Sequence, residues 1–218
     1  MGKLIVTEFI TLDGIIDDPG GSEGHPHGGW SFRFPAPEGQ QFKFEELLAA
    51  DVQLMGRVTY EGFAAAWPAM EESSGEFGKR MNSMPKVVVS TTLTDPAWNN
   101  TTVISGDVPA QVARLKEQYQ GDVLVPASAT LVDTLREHDL VDEYHLMVHP
   151  VVLGSGKRLF KEGAAGTDLQ LTDCRKAGPD VLLLILQPAS RKAGGDHPGQ
   201  DDSPAQDDSP GQDDSPAS

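Results

Sequence analysis

The sequence predicts an α/β fold of three layers, with a largely parallel central sheet, helices on both faces and an antiparallel hairpin at the C-terminal end. Three observations carry that expectation. Short runs rich in Val, Ile and Leu alternate with stretches of helical spacing. Gly, Pro and hydroxyl residues mark the joints between them. The last two apolar runs are separated by Lys176-Ala177-Gly178-Pro179-Asp180, a hairpin signal. A helix between two strands returns the chain to the same edge, so such strands pair in parallel.

In chain order, Leu4-Ile5-Val6 with Phe9-Ile10 reads as a buried first strand. A Gly/Pro-rich loop runs from about Gly14 to Glu38, and Phe42 to Ala50 has helical spacing. Val52 to Met55 forms the next strand, stopped by Gly56, and Arg57 to Ala66 a helix ended by Pro68. Lys86 to Ser90 is a β-branched strand, and Thr101 to Ile104 another. A helix from Pro109 to Tyr119 has proline in its first turn. Strand Asp122 to Val125, helix Ala129 to His138 and strand Glu143 to Val148 follow, before the strands Leu169 to Arg175 and Val181 to Leu186.

Composition bounds the function. The chain has 218 residues and 38% hydrophobic content, enough for one substantial core. Lys+Arg 17 against Asp+Glu 33 gives a net charge of -16, which argues against nucleic acid and against an anionic membrane surface as partners. A lone Cys174, assigned to the core, excludes an internal disulfide and a thiolate metal cluster. No apolar run is long enough to span a bilayer. Glu8 and Asp13 interrupt the start where a signal peptide needs its apolar core, so a cytoplasmic protein is expected. The acidity is concentrated at the end. A hexad, P-G/A-Q-D-D-S, repeats from Pro198 to Ser215 without one aromatic or branched aliphatic residue. Residues 1–190 are therefore read as the folded domain and 191–218 as a disordered acidic tail.

In a parallel sheet, ligands gather beyond the carboxyl ends of the strands. After the first strand comes Thr11-Leu12-Asp13-Gly14, whose acid either serves a substrate or simply makes an Asp-Gly turn. After the second comes Met55-Gly56-Arg57-Val58-Thr59, where glycine admits a ligand, the helix N-terminus favours an anion and Arg57 adds a forked cation. Ser90 and Thr91 place hydroxyls at the third strand end. Ala127-Ser128-Ala129-Thr130 opens a helix with small residues that let a phosphate approach the backbone, although Pro126 lacks an N–H.

These segments together resemble the dihydrofolate-reductase-like superfamily, most closely its branch related to the reductase domain of bacterial riboflavin biosynthesis. LIVTEFITLDGII, MGRVTYEGF, KVVVSTTL, DVLVPASATLVDTLREHDLVDEYHLMVHPVVLGSGKRLF and the terminal hairpin carry the resemblance. It implies an NADPH-dependent reductase of a small heterocyclic or sugar-like substrate. Gly56, Arg57 and Thr59 would meet cofactor phosphates, Ser90 and Thr91 the adenosine side, and Ala127 to Thr130 the second phosphate loop. Pro126-Ala127 departs from the glycines usual in that loop. Asp13 is the expected catalytic or orienting residue, and the loop from Gly14 to Glu38 covers the site. Trp30 is either a core anchor or an aromatic wall against a planar ligand, and its place after Asp13 favours the wall. Gly154, in a loop bordering the site, completes the candidate substrate residues. Homodimerisation through the unalternating run Val181 to Leu186 is expected, as is common in that branch. Two other readings of the same fold are a non-catalytic nucleotide-binding or structural dimer module, and a flavin- or deazaflavin-dependent variant.

Gly20-Gly21-Ser22-Glu23-Gly24 matches a nucleophile-elbow pattern but lies in a loop, not between strand and helix. Gly154-Ser155-Gly156-Lys157 lacks the first glycine and the hydroxyl of a P-loop. His25, His27, His145 and His149 are read as satisfied or exposed histidines, with no metal expected.

Overall fold

The computed structural model describes residues 2–189; the expected acidic tail lies outside the described residues. The elements in chain order are β1 (Leu4–Thr11), α1 (Pro37–Ala49), β2 (Ala50–Gly56), α2 (Arg57–Met70), α3 (Gly75–Ser83), β3 (Lys86–Val89), β4 (Thr101–Ile104), α4 (Val108–Gln118), β5 (Asp122–Pro126), α5 (Ala129–Glu137), β6 (Glu143–His149), β7 (Leu169–Lys176) and β8 (Leu182–Pro188). They form one eight-stranded sheet in the order β4-β3-β2-β5-β1-β6-β8-β7. Strands β1 to β6 are mutually parallel, and β8 runs antiparallel to both β6 and β7. This is the α/β architecture that the alternating runs predict.

Strand alternation sorts the core into two layers. Leu4, Val6 and Ile10 of β1 pack with Val112 and Leu115 of α4 and Leu131, Val132 and Leu135 of α5. Ile5 points the other way, into a cluster with Leu47 of α1, Tyr60 of α2 and Met81 of α3. Continuous apolar strands are buried because helices cover both faces.

The differences from the sequence reading have local causes. Helix α1 starts at Pro37, five residues before the apolar spacing becomes visible, with proline in its first turn. Gly39 lets that helix pack closely, because a Cβ would stand 2.3 Å from Met147 Cε of β6 and 3.1 Å from Ala177 Cβ, and the methionine would have to shift. Helix α3 escaped detection because it is polar and carries two glycines, with Phe77 and Met81 as its only apolar pair at helical spacing. Helix α2 continues through Pro68 to Met70, although the proline gives up one i→i−4 hydrogen bond there. Cys174, assigned to the core by its strand pattern, is exposed on the edge strand β7. The loop expected to reach Glu38 ends at Ala36, before α1; it holds a single turn of 3-10 helix at Trp30–Arg33 and is organised around Asp18. That carboxylate accepts the N–H groups of Glu23 and His25, both at 3.0 Å, which outweigh burial and hold it below the usual carboxylate range.

Candidate functional site

All six parallel strands end at one edge, and the joints picked out from sequence collect there. Because β2 and β5 are neighbours, the N-termini of α2 and α5 lie side by side. The Ser128 hydroxyl ties them together. It accepts the Gly56 N–H at 3.0 Å and donates to Thr59 Oγ1 at 2.8 Å, with Pro126 O a second acceptor at 3.3 Å. Neither helix start has a side-chain cap, so their first amides point outward with the positive ends of two dipoles. A Cβ on Gly56 would meet only the Ser128 side chain, at 3.7 Å from Oγ and 3.9 Å from Cβ, so space lies in front of that backbone.

The turn into α5 is strained. Ala127 and Ser128 have φ of 51° and 72°, a left-handed pair without glycine, at a cost of roughly 1–2 kcal/mol each. Arg57, on the exposed surface, contacts Glu61 one turn on, with Nη1 2.7 and 2.8 Å from its carboxylate oxygens. Ser90 closes a hydroxyl turn at the end of β3, accepting the Thr92 and Leu93 N–H groups at 3.1 and 2.9 Å. Thr91 and Thr130 are exposed, and Ala129 is half-buried at the start of α5.

At the neighbouring β1–β6 joint, Asp13 acts as a tether. Its carboxylate accepts the Thr11 hydroxyl at 2.6 Å, the Gly154 N–H at 2.8 Å and the Leu153 N–H at 3.3 Å. Burial pushes this carboxyl up, but those three bonds prevail and hold it below its ordinary range. It is thus an ionised anchor for the loop after β6. Gly14 makes the turn that allows this, at φ 81° with its N–H on Thr11 O at 3.0 Å. Arg158 donates to the Asp13 carbonyl, closing the same loop.

Trp30 requires a correction. It is 0% exposed and presents no wall to a ligand. Its indole N–H donates to Asp17 O at 2.8 Å, and its ring meets His149 edge-on at 5.2 Å. Phe9 and Phe34 also surround His149, whose Nδ1 lies 2.9 Å from Met147 O. Burial lowers the His149 pKa, which favours the neutral ring.

Two buried polar features went unread in the sequence. Between α1 and β6, Glu46 Oε1 lies 2.6 Å from His145 Nδ1, while Glu143 Oε2 lies 3.1 Å from His145 Nε2. Thr7 donates to Glu46 Oε2 at 2.7 Å, and Lys43 stands 3.4 Å from the same oxygen and 5.5 Å above the Phe9 ring. Burial raises the Glu46 carboxyl, but Lys43 and His145 outweigh it and the pKa falls. The second is Glu8 of β1, 4% exposed, whose carboxyl burial drives well above the usual range. His25 and His27 sit ring to ring at 5.9 Å on the surface. Among the described residues no group of three or more His, Cys, Asp or Glu is placed to hold a metal ion. No helix among them is long and apolar enough to cross a membrane.

The eight-stranded sheet with its antiparallel terminal hairpin has a dihydrofolate-reductase-like fold. Within that class the chain belongs to the RibD C-terminal domain family, whose model matches residues 2–183. Its relatives include uncharacterized protein YyaP of Bacillus subtilis, 28% identical over 84% of this chain and 93% of the relative. YwjB of the same organism is 27% identical over 85% of this chain and 98% of the relative. Among solved structures, one from Shewanella sp. PV-4 superposes with a TM-score of 0.67 at 21% identity, covering 87% of this chain and all (100%) of the other. Dihydrofolate reductase from Enterococcus faecalis, complexed with NADP(H), superposes at 0.52 with 13% identity, covering 87% and 98%. A deaminase/reductase from Thermotoga maritima gives 0.58 at 14% identity over 86% of this chain and 57% of its own.

Proposed function

We propose that the chain is an NADPH-dependent reductase acting on a small heterocyclic or sugar-like substrate. The observation that carries the reading is the pair of side-chain-uncapped helix N-termini stapled by Ser128 at the carboxyl edge of the sheet. Outward amides, two dipole ends and the Arg57 cation fit a pyrophosphate or phosphate. The relatedness to NADP(H)-binding dihydrofolate reductase supports the same group. NADPH would supply the hydride. The protein's part is to bind, orient and exclude water. The α2 and α5 starts would hold phosphates, with Gly56, Arg57, Thr59, Ser128, Ala129 and Thr130 in contact. Ser90 and Thr91 would flank the adenosine side. Asp13 would fix the loop carrying Gly154 against the acceptor, and the loop from Gly14 to Ala36 would shield the edge.

The partner in this reading is a second copy of the chain, docked through the β7–β8 hairpin. Leu182, Leu184 and Leu186 share one face of that hairpin with Leu171, and Leu171 and Leu182 are 53% and 41% exposed.

Fluorescence titration with NADPH, NADH, FMN and a deazaflavin tests the proposal. Saturation by NADPH is expected. Arg57→Ala should weaken NADPH by roughly tenfold to a hundredfold, the worth of a charge-assisted bond of 1.5–3 kcal/mol, and NADH much less. Equal loss for both would move Arg57 to the shared pyrophosphate. Saturation by flavin or deazaflavin alone would refute NADPH as the cofactor.

A further inference from the structure

Position 8 of β1 lies on the face that sends Leu4, Val6 and Ile10 into the core toward α4 and α5. An apolar residue is expected there, yet the chain places a glutamate, 4% exposed. Its Oε1 has no hydrogen-bond partner among the described residues, and the β1–β5 register sets Thr7 opposite Pro126, which brings Glu8 beside Ala127, whose N–H acts on the carboxyl. Glu8 therefore stands directly beneath the turn that opens α5. That turn is the left-handed Ala127–Ser128 pair, which the Ser128 hydroxyl braces from the α2 side. Glu8 adjoins it from the β1 side.

A carboxylate in that place would lie under two helix starts directed at an anion. Two negative charges on either side of one turn, one of them buried, repel each other. A carboxylic acid there keeps an oxygen for the Ala127 N–H and adds no charge. The charged groups acting on Glu8 are Lys43 and Glu46 of α1 and Glu23 of the β1–α1 loop. Burial favours the acid form first. Lys43 and the Ala127 amide oppose it, and the carboxylates of Glu46 and Glu23 reinforce it.

We propose that Glu8 is a positioning residue that supports the α5 turn in its proton-bearing form, so that anion binding between the α2 and α5 starts is linked to protonation of this carboxyl. The inference rests on the NADPH reading of that cradle. When NADPH meets protein whose Glu8 is ionised, one proton is taken up from water and stays on the carboxyl; no bond in either molecule is broken.

The test is NADPH titration of wild type and Glu8→Gln from pH 5.5 to 9, followed by fluorescence. Calorimetry in two buffers of different ionisation enthalpy counts the protons. Glutamine keeps an acceptor for Ala127 and cannot ionise. Above the pH at which Glu8 ionises in the free protein, wild-type affinity is expected to fall with rising pH, approaching tenfold per unit, with net proton uptake, while Glu8→Gln stays nearly level. The 2′-phosphate of NADPH titrates near pH ~6 in both proteins and cancels in the comparison. Glu8→Leu, which suits the apolar face, should bind more weakly at every pH because Ala127 loses its partner. Parallel pH profiles in wild type and Glu8→Gln, or binding without proton uptake by wild type alone, would overturn the linkage while leaving the NADPH reading intact. Absence of saturable NADPH binding in every variant would overturn that reading and this inference with it.

Discussion

Replacing Ser128 by alanine tests whether one hydroxyl joins the two helix starts. In the structure Ser128 Oγ accepts the Gly56 N–H at 3.0 Å and donates to Thr59 Oγ1 at 2.8 Å. A net hydrogen bond is worth about 0.5–1.5 kcal/mol, and a buried N–H left unpaired costs about 1–3 kcal/mol. Gly56 and Ser128 are both half-buried, so water recovers part of that penalty. The expected loss is about 2 kcal/mol, or about 4–8 °C in Tm for a domain of this size. Ser128→Gly loses the same bonds but relieves the φ of 72°, and should be milder than alanine by roughly 1 kcal/mol after the entropy of glycine is counted. Urea unfolding of Ser128→Ala, Thr59→Val and the double variant gives the coupling directly, with an expected value of about 1 kcal/mol. A loss below ~0.5 kcal/mol for Ser128→Ala, or additive single variants, would refute the staple. NADPH affinity should fall in parallel, because the spacing of the two helix starts would no longer be fixed.

Two further expectations follow from the same geometry. Asp13→Asn should cost roughly 1 kcal/mol at neutral pH through weakened hydrogen bonds, and the sign of its pH dependence is fixed. Because the folded-state pKa is lowered, the contribution is fully present above the unfolded value of about 3.9 and is lost as pH falls below it. Wild type and variant should therefore draw together as pH falls through the lowered folded-state pKa, and a gap that does not narrow between neutral pH and acid would contradict the tether. For the dimer, Leu184→Glu should give folded monomers by light scattering, since Leu184 is only half-buried at the margin of its layer and shares a face with the exposed Leu171 and Leu182. Leu183→Glu should unfold the chain, since Leu183 is 1% exposed in the opposite layer. A wild-type monomer at micromolar concentration, or unfolding by both changes, would refute that interface.

The fold was legible because its strands are buried on both faces. Runs such as Leu4-Ile5-Val6 and Lys86 to Val89 have no polar alternation, and helix-length stretches between them leave parallel pairing as the natural outcome. What escaped was what periodicity cannot carry. Helix α3 packs through Phe77, Met81 and a glycine, Gly78, whose missing Cβ lets α3 approach the backbone of Glu71. Cys174 lies in a strand pattern that gives no sign of its being exposed on the outermost strand.

The candidate site divides along similar lines. Joints at strand ends can be read one at a time, and Gly56, Thr59 and Ser128 do come into contact because β2 and β5 happen to be neighbours. Neighbour order in the sheet is a tertiary fact. The pairing of Glu46 with His145 spans 99 residues, and no local spacing links them. Trp30 misled for a related reason: its position after Asp13 placed it near the site, but its indole N–H found Asp17 and its ring found His149, turning it into the core. Glu8 did leave a local trace. An acid within LIVTEFIT breaks a strand that is otherwise apolar apart from threonine, and a charge on a core-facing position must be neutralised, paired or used. Lys43 lies close enough to act on it, yet Glu46 and Glu23 act in the opposite sense. Burial drives neutralisation by a proton against Lys43, and the neutral form is the one compatible with an anion arriving at the helix starts above it.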